Sequence, residues 1–130
     1  MYEIKFETFQ RVKILRVSFR DCDIAEFEKG ILESREIITS QPKKSLLTFS
    51  EYYNVKWNMN TIKLLNEGAK AHGPYIVASA LCMDGVLGAL LKGAIAFSGR
   101  KNMRSFANER TAKKWLAEQW LQWEVDQAST

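Results

Sequence analysis

YIVASALC (Tyr75–Cys82), MDG (Met83–Gly85), VLGALLKGAIAF (Val86–Phe97) and SGRKNMRSF (Ser98–Phe106) follow one another directly and read as strand, glycine, helix, glycine, strand. The first segment is a short apolar run rich in β-formers, bounded by the turn-forming Asp84-Gly85. The second has helical length, with Lys92 as its only charge, and Gly99 stands where a left-handed C-cap residue is expected. A strand, a helix and a second strand in this order make a βαβ crossover, so the fold class is α/β. Neither GxGxxG nor GxxxxGK[ST] opens the helix, which removes the usual nucleotide-binding reading.

Working outward, Tyr2–Phe9 and Val12–Phe19 alternate apolar and polar residues around Gln10-Arg11, the pattern of a hairpin with one buried face. Asp23 with Glu26 three residues on is a capping-box-like helix start. Phe27, Ile31, Ser34 and Ile38 then share one face of a helix that ends before Pro42. Ser45–Ser50 (SLLTFS) reads as a third strand, with Tyr52, Tyr53 and Trp57 in the loop after it. Asn58 caps a helix presenting Ile62, Leu65 and Ala69 and stopping at His72-Gly73-Pro74. After the crossover, Asn102–Phe106 is a short strand. Asn108 caps a last helix with an aromatic stripe of Ala112, Trp115 or Leu116, Gln119, Trp120 and Trp123. The predicted order is ββαβαβαβα.

A chain of 130 residues suits a single domain over 1–130 and buries about two-thirds of its unfolded surface. Its hydrophobic and charged fractions, 46% and 26%, are those of an ordinary globule. MYEIKFETFQRVKI carries early charge rather than a basic segment followed by an apolar one, so no signal peptide is expected. The longest apolar helix is too short and too charged to span a bilayer. Cys22 and Cys82, far apart and without C-x-x-C spacing, favour reduced thiols and a cytoplasmic location.

Four strings carry a family resemblance: the hairpin ending in VSFRD, the helix from Asp23 leading through Pro42 into SLLTFS, the run GVLGALLKGAIAFSGRKNMRSFAN, and the closing ERTAKKWLAEQW. Together they resemble the STAS domain, in particular its small free-standing SpoIIAA-like (STAS/SEC14-like) bacterial members. The resemblance covers nearly the whole chain and implies a mixed sheet with an N-terminal antiparallel hairpin and helices mainly on one face. It also implies a non-enzymatic, cytoplasmic, protein-binding regulatory module similar to anti-sigma-factor antagonists, whose partner is an anti-sigma-factor-like kinase or another regulator. In those antagonists an Asp-Ser-[Ser/Thr]-Gly turn opens the helix after the third strand, and its serine is phosphorylated. Here that turn falls on Trp57-Asn58-Met59-Asn60-Thr61 and contains no serine, so the standard phosphoswitch is expected to be absent. Thr61 is the nearest hydroxyl, read either as an acceptor at a helix N-terminus or as helix-start chemistry. Tyr52, Tyr53, Trp57, Asn58, Asn60 and Thr61 are the candidate partner-binding residues, with the three aromatic ones read either as an interaction hot spot or as staples of that helix to the core.

Residue inventory argues against the other function classes. His72 is the one histidine and lies at a helix C-terminus, where an imidazolium interacts favourably with the dipole. The carboxylate pairs Asp21 with Asp23 and Glu26 with Glu28 sit at a helix start, and no metal-ligand spacing, cofactor motif or nucleophile–base pair accompanies them. No catalysis, cofactor or metal site is therefore expected. The net charge of +4 and the cluster Arg100, Lys101, Arg104, Arg110, Lys113 and Lys114 offer a weak nucleic-acid signal, since Lys113 and Lys114 fit the solvent face of a helix. An apolar excess on the Val86–Phe97 helix is more telling. Either neighbouring helices bury its flanks, or Val86, Leu87, Leu90, Leu91, Ile95 and Phe97 meet a partner, a second copy in a homodimer, or a hydrophobic, lipid-like ligand. A closed core with an aromatic loop would favour the partner reading; an apolar cavity would favour the ligand reading.

Overall fold

The computed structural model describes residues 1–98 and 101–129, with no side-chain description at Phe97 and Ser98. The hairpin is formed by β1 (Tyr2–Phe9) and β2 (Val12–Arg20), paired antiparallel from Tyr2↔Phe19 to Phe9↔Val12. Gln10 and Arg11 both adopt positive φ, 46° and 70°, the backbone that a two-residue connection needs to follow the twist of its strands. The chain then runs through α1 (Ile24–Thr39), β3 (Leu46–Tyr53), α2 (Met59–His72), a 3-10 turn (Gly73–Tyr75), β4 (Ile76–Met83), α3 (Gly85–Ser98), β5 (Met103–Ser105) and α4 (Glu109–Ala128). The sheet order is β1-β2-β3-β4-β5, and every pairing after the hairpin is parallel. Parallel neighbours require crossovers, and helices supply them.

Helix starts follow the expected chemistry. Asp23 Oδ1 accepts from the Glu26 amide at 2.8 Å, and Asn108 Oδ1 from the Thr111 amide at 2.9 Å. Asn58 and Thr61 form a reciprocal capping box. Gly99, the expected C-cap of α3, lies outside the described residues.

Two layers of core result. On one face, Leu15, Val17 and Phe19 of β2 meet Phe27, Ile31 and Ile38 of α1, with Leu87 of α3 joining them. On the other, Ile14, Leu47, Phe49 and Ala80 pack against Ala112, Trp115 and Leu116 of α4. Three helices thus cover one face and α4 covers the other. The expectation of a hairpin with one buried face needs revision for β2, where Ile14 and Leu15 are both buried because α4 roofs the second side.

A second revision concerns β3, which continues three residues beyond Ser50. Glu51 looks like the end of an apolar strand, yet it is only 3% exposed. It accepts hydrogen bonds from Arg16 at 2.9 Å, Ser18 at 2.7 Å and Arg20 at 3.0 Å, all on β2. With its charge satisfied by the neighbouring strand, the ladder extends through Tyr52 and Tyr53.

A candidate ligand cavity beneath three helices

Between α1, α2, α3 and the sheet lies a cavity of about 400 Å³, within the range of small-molecule sites. Its walls follow from the helix faces. Ile31 and Ile38 of α1 and Leu65 and Ala69 of α2 close two sides, and Leu91, Ala94 and Ile95 of α3 form a third. The sheet contributes Val17, Phe19, Tyr52, Ile76 and Leu81.

α3 explains why the space stays open. Leu87, Leu91 and Ile95 recur at i, i+4 and i+8 and pack toward the core, but only Leu87 is buried. Gly88 presses on the preceding strand end, where an added Cβ would lie 3.1 Å from the Met83 Cβ. The helix is held closely at its first turn, and beyond it the inner stripe lines the cavity instead of filling it. Val86 and Leu90 point outward, 69% and 49% exposed. Among the candidate residues on this helix, Leu91 and Ile95 therefore line the cavity, Leu87 belongs to the core, and Val86 and Leu90 face solvent. The Phe97 side chain lies outside the described residues.

The polar lining is of two kinds. Asn66 and Lys70 of α2 are exposed and mark the solvent side, with His72 nearby. Deeper in, Thr48, Ser50 and Ser79 project from the two central strands and Ser34 from α1. Thr48 Oγ1 and Ser79 Oγ are buried and lie 2.6 Å apart across the β3–β4 register, while the Ser34 hydroxyl donates to the Ile31 carbonyl at 2.9 Å. The strand hydroxyls escaped the sequence reading, since Ser and Thr in SLLTFS and YIVASALC look like ordinary strand residues. Only the strand alternation, which sets Thr48, Ser50 and Ser79 on one face, could have grouped them.

The six candidate partner-binding residues do not form one surface. Tyr52 is buried and stacks on Phe19 with ring centroids 5.5 Å apart, and burial raises its phenol pKa above the ordinary value. Tyr53, on the opposite side of the strand, packs with the α4 layer. Trp57 is half-buried against the α1 layer. Thr61 is fully buried, and its hydroxyl donates to Glu28 at 3.1 Å besides closing the capping box. Asn58 and Asn60 are the two that face solvent.

On the far face, α4 is clamped by charge. Arg16 pairs with Glu7 at 3.1 Å and Glu109 at 2.6 Å, and Lys113 with Glu7 and with Glu109 at 2.8 Å. The hydrogen bonds from Arg16 and then Lys113 hold the Glu109 carboxyl at about 2. Burial alone would raise Glu7, but the bonds from Lys113 and Arg16 outweigh it and leave its pKa lowered. Lys113, expected on the solvent face, is 8% exposed because this network draws it inward. Lys101, Arg104, Arg110 and Lys114 remain exposed, Arg104 over the Trp115 ring at 5.4 Å. Arg100 lies outside the described residues. Of the carboxylates near α1, Asp21 accepts from the Asn54 side chain at 2.7 Å and Asp23 caps the helix.

Among solved structures, the chain is similar to an uncharacterised protein of the DUF3478 family with a SpoIIAA-like fold from Shewanella loihica PV-4. The TM-score is 0.66 at 13% identity, over 88% of this chain and 93% of that one. The fold is SpoIIAA-like. No family model matches the sequence, and no curated protein matches it. In this SpoIIAA-like chain, among the described residues, no cluster of His, Cys, Asp or Glu is arranged to hold a metal ion, and no helix is long and apolar enough to cross a membrane.

Proposed function

We propose that this protein works by binding rather than catalysis, and that it binds an apolar small molecule in the cavity beneath α1, α2 and α3. The observation that carries this reading is the half-open cavity of about 400 Å³, lined mainly by apolar side chains of three helices and the sheet, with the exposed Asn66 and Lys70 at its edge. A core meant only for stability would close such a space, since empty volume costs packing energy. An apolar occupant replaces the missing contacts, and the exposed α2 polar groups stay in water at its outer end. The partner-binding reading of Tyr52–Thr61 has less to stand on, because Tyr52 and Thr61 are buried and Tyr53 lies on the other face of the sheet.

Calorimetric titration with myristate tests the proposal. Binding with a negative heat-capacity change, lost in a Leu65→Trp variant that keeps its circular dichroism spectrum, is expected. Absence of binding to the wild-type protein at millimolar myristate overturns it.

A further inference from the structure

We infer that the cavity selects an apolar ligand carrying a carbonyl oxygen part-way along its body, read by the Thr48–Ser79 hydroxyl pair. This rests on the ligand reading above and specifies its chemistry. The cavity wall formed by the sheet's central strands is the place where a plain alkyl chain would be met best by Val, Ile or Leu. Instead Thr48, Ser50 and Ser79 occupy it, on the same face as the apolar Val17, Leu46 and Ile76. Burying hydroxyls there is costly unless they are bonded.

Proton counting decides what the pair can offer. Thr48 Oγ1 and Ser79 Oγ lie 2.6 Å apart, so one O–H donates to the other oxygen, and either can be the donor. Two hydroxyls bring two hydrogens, which leaves the second O–H for another acceptor. Both residues line the cavity. A ligand oxygen placed there accepts that hydrogen, while a saturated chain at the same spot desolvates the donor and gives nothing back. Ser34 does not compete for the role, because its hydrogen is directed to the Ile31 carbonyl. The ligand class is thus an amphiphile of acyl-chain size with an internal carbonyl oxygen, its polar end toward Lys70 and Asn66.

The test compares myristate with its mid-chain oxo derivative, which differ only in the internal oxygen. It uses the wild-type protein and the double variant Thr48→Val with Ser79→Ala, in which both partners are replaced so that neither is left unsatisfied. The ratio of the two dissociation constants, ketone over plain chain, is expected to rise about tenfold in the variant, chiefly through weaker ketone binding. An unchanged ratio, with both ligands still binding, overturns the hydroxyl-pair inference and leaves the cavity reading intact. Failure of both ligands to bind the wild-type protein overturns both, and binding of myristate without its oxo derivative overturns the hydroxyl-pair inference alone. Near-native thermal unfolding of the variant shows that the comparison is made on a folded protein, and single Thr48→Ser supplies a milder variant whose retained hydroxyl should keep the wild-type ratio.

Discussion

Thr61 joins three tasks in one buried side chain. Its amide and hydroxyl complete the α2 capping box with Asn58, and the hydroxyl also donates to Glu28 of α1, so it ties two helices together. Thr61→Val keeps the shape and removes these side-chain bonds; a loss of about 1–2 kcal/mol in urea unfolding is expected. The same burial speaks to phosphorylation. A phosphate on Thr61 would be dianionic, next to the Glu28 carboxylate, and without solvent access in the folded protein. Protein isolated from its native cells is expected to carry none at this position by mass spectrometry, and stoichiometric phosphate there would contradict the placement. Trp57, half-buried against the same layer, illustrates a different balance: Trp57→Ala is expected to cost about 2 kcal/mol in stability, below the 3–5 kcal/mol of a fully buried tryptophan. No loss of stability would place Trp57 outside the core layer.

The elements differ in how legible they were. α1, α2 and α4 are readable at their starts because their N-caps are local: Asp23, Asn58 and Asn108 bond to amides three residues away. The apolar periods of Tyr75–Phe106 likewise revealed the crossover. What escaped were facts made by distant partners. Glu51 is held within β3 by Arg16, Ser18 and Arg20 reaching it from β2, and Lys113 turns inward to Glu7 of β1 as well as to Glu109 of its own helix. The cavity depends on how far α3 stands from the sheet, a distance that no periodicity encodes. The α4 clamp itself makes a pH prediction. Glu109 titrates at about 2 when folded against an ordinary 4.5, so between these values the unfolded chain binds more protons than the folded one. Its contribution is complete above about pH 4.5 and is lost as pH falls toward about 2. Glu109→Gln removes the titrating group, and the acid side of the thermal-unfolding profile should become shallower. A profile superimposable on wild type would mean that the network contributes nothing, as many exposed ion pairs do.

At the scale of the whole molecule, the two faces of the sheet serve opposite ends. The α4 face is filled by Phe49, Trp115 and Leu116 and sealed by ion pairs, whereas the α1–α3 face contains the cavity. Stability should therefore be lopsided, with α3 the weakest element, since among its described residues Leu87 is the buried hydrophobic one while Leu91 and Ile95 are partly buried against the core. Hydrogen exchange of the free protein is expected to be fast along α3 and slow in β2, β3 and α4. Filling the cavity adds contacts to its lining on α2 and α3, so a ligand at a hundred times its dissociation constant should raise stability by about 2.7 kcal/mol and slow exchange in α3 and α2 before α4. For a chain of this length that corresponds to roughly 10 °C in melting temperature. Gly88→Ala provides the converse. A methyl there meets Met83 Cβ at 3.1 Å and its backbone carbon at 3.3 Å, so the contact between the first turn of α3 and the strand end must give by a few tenths of an ångström. Exchange along α3 should then quicken while the α4 layer is unaffected. Protection lost equally on both faces would show that the sheet unfolds as one unit and that α3 has no separate freedom to admit a ligand.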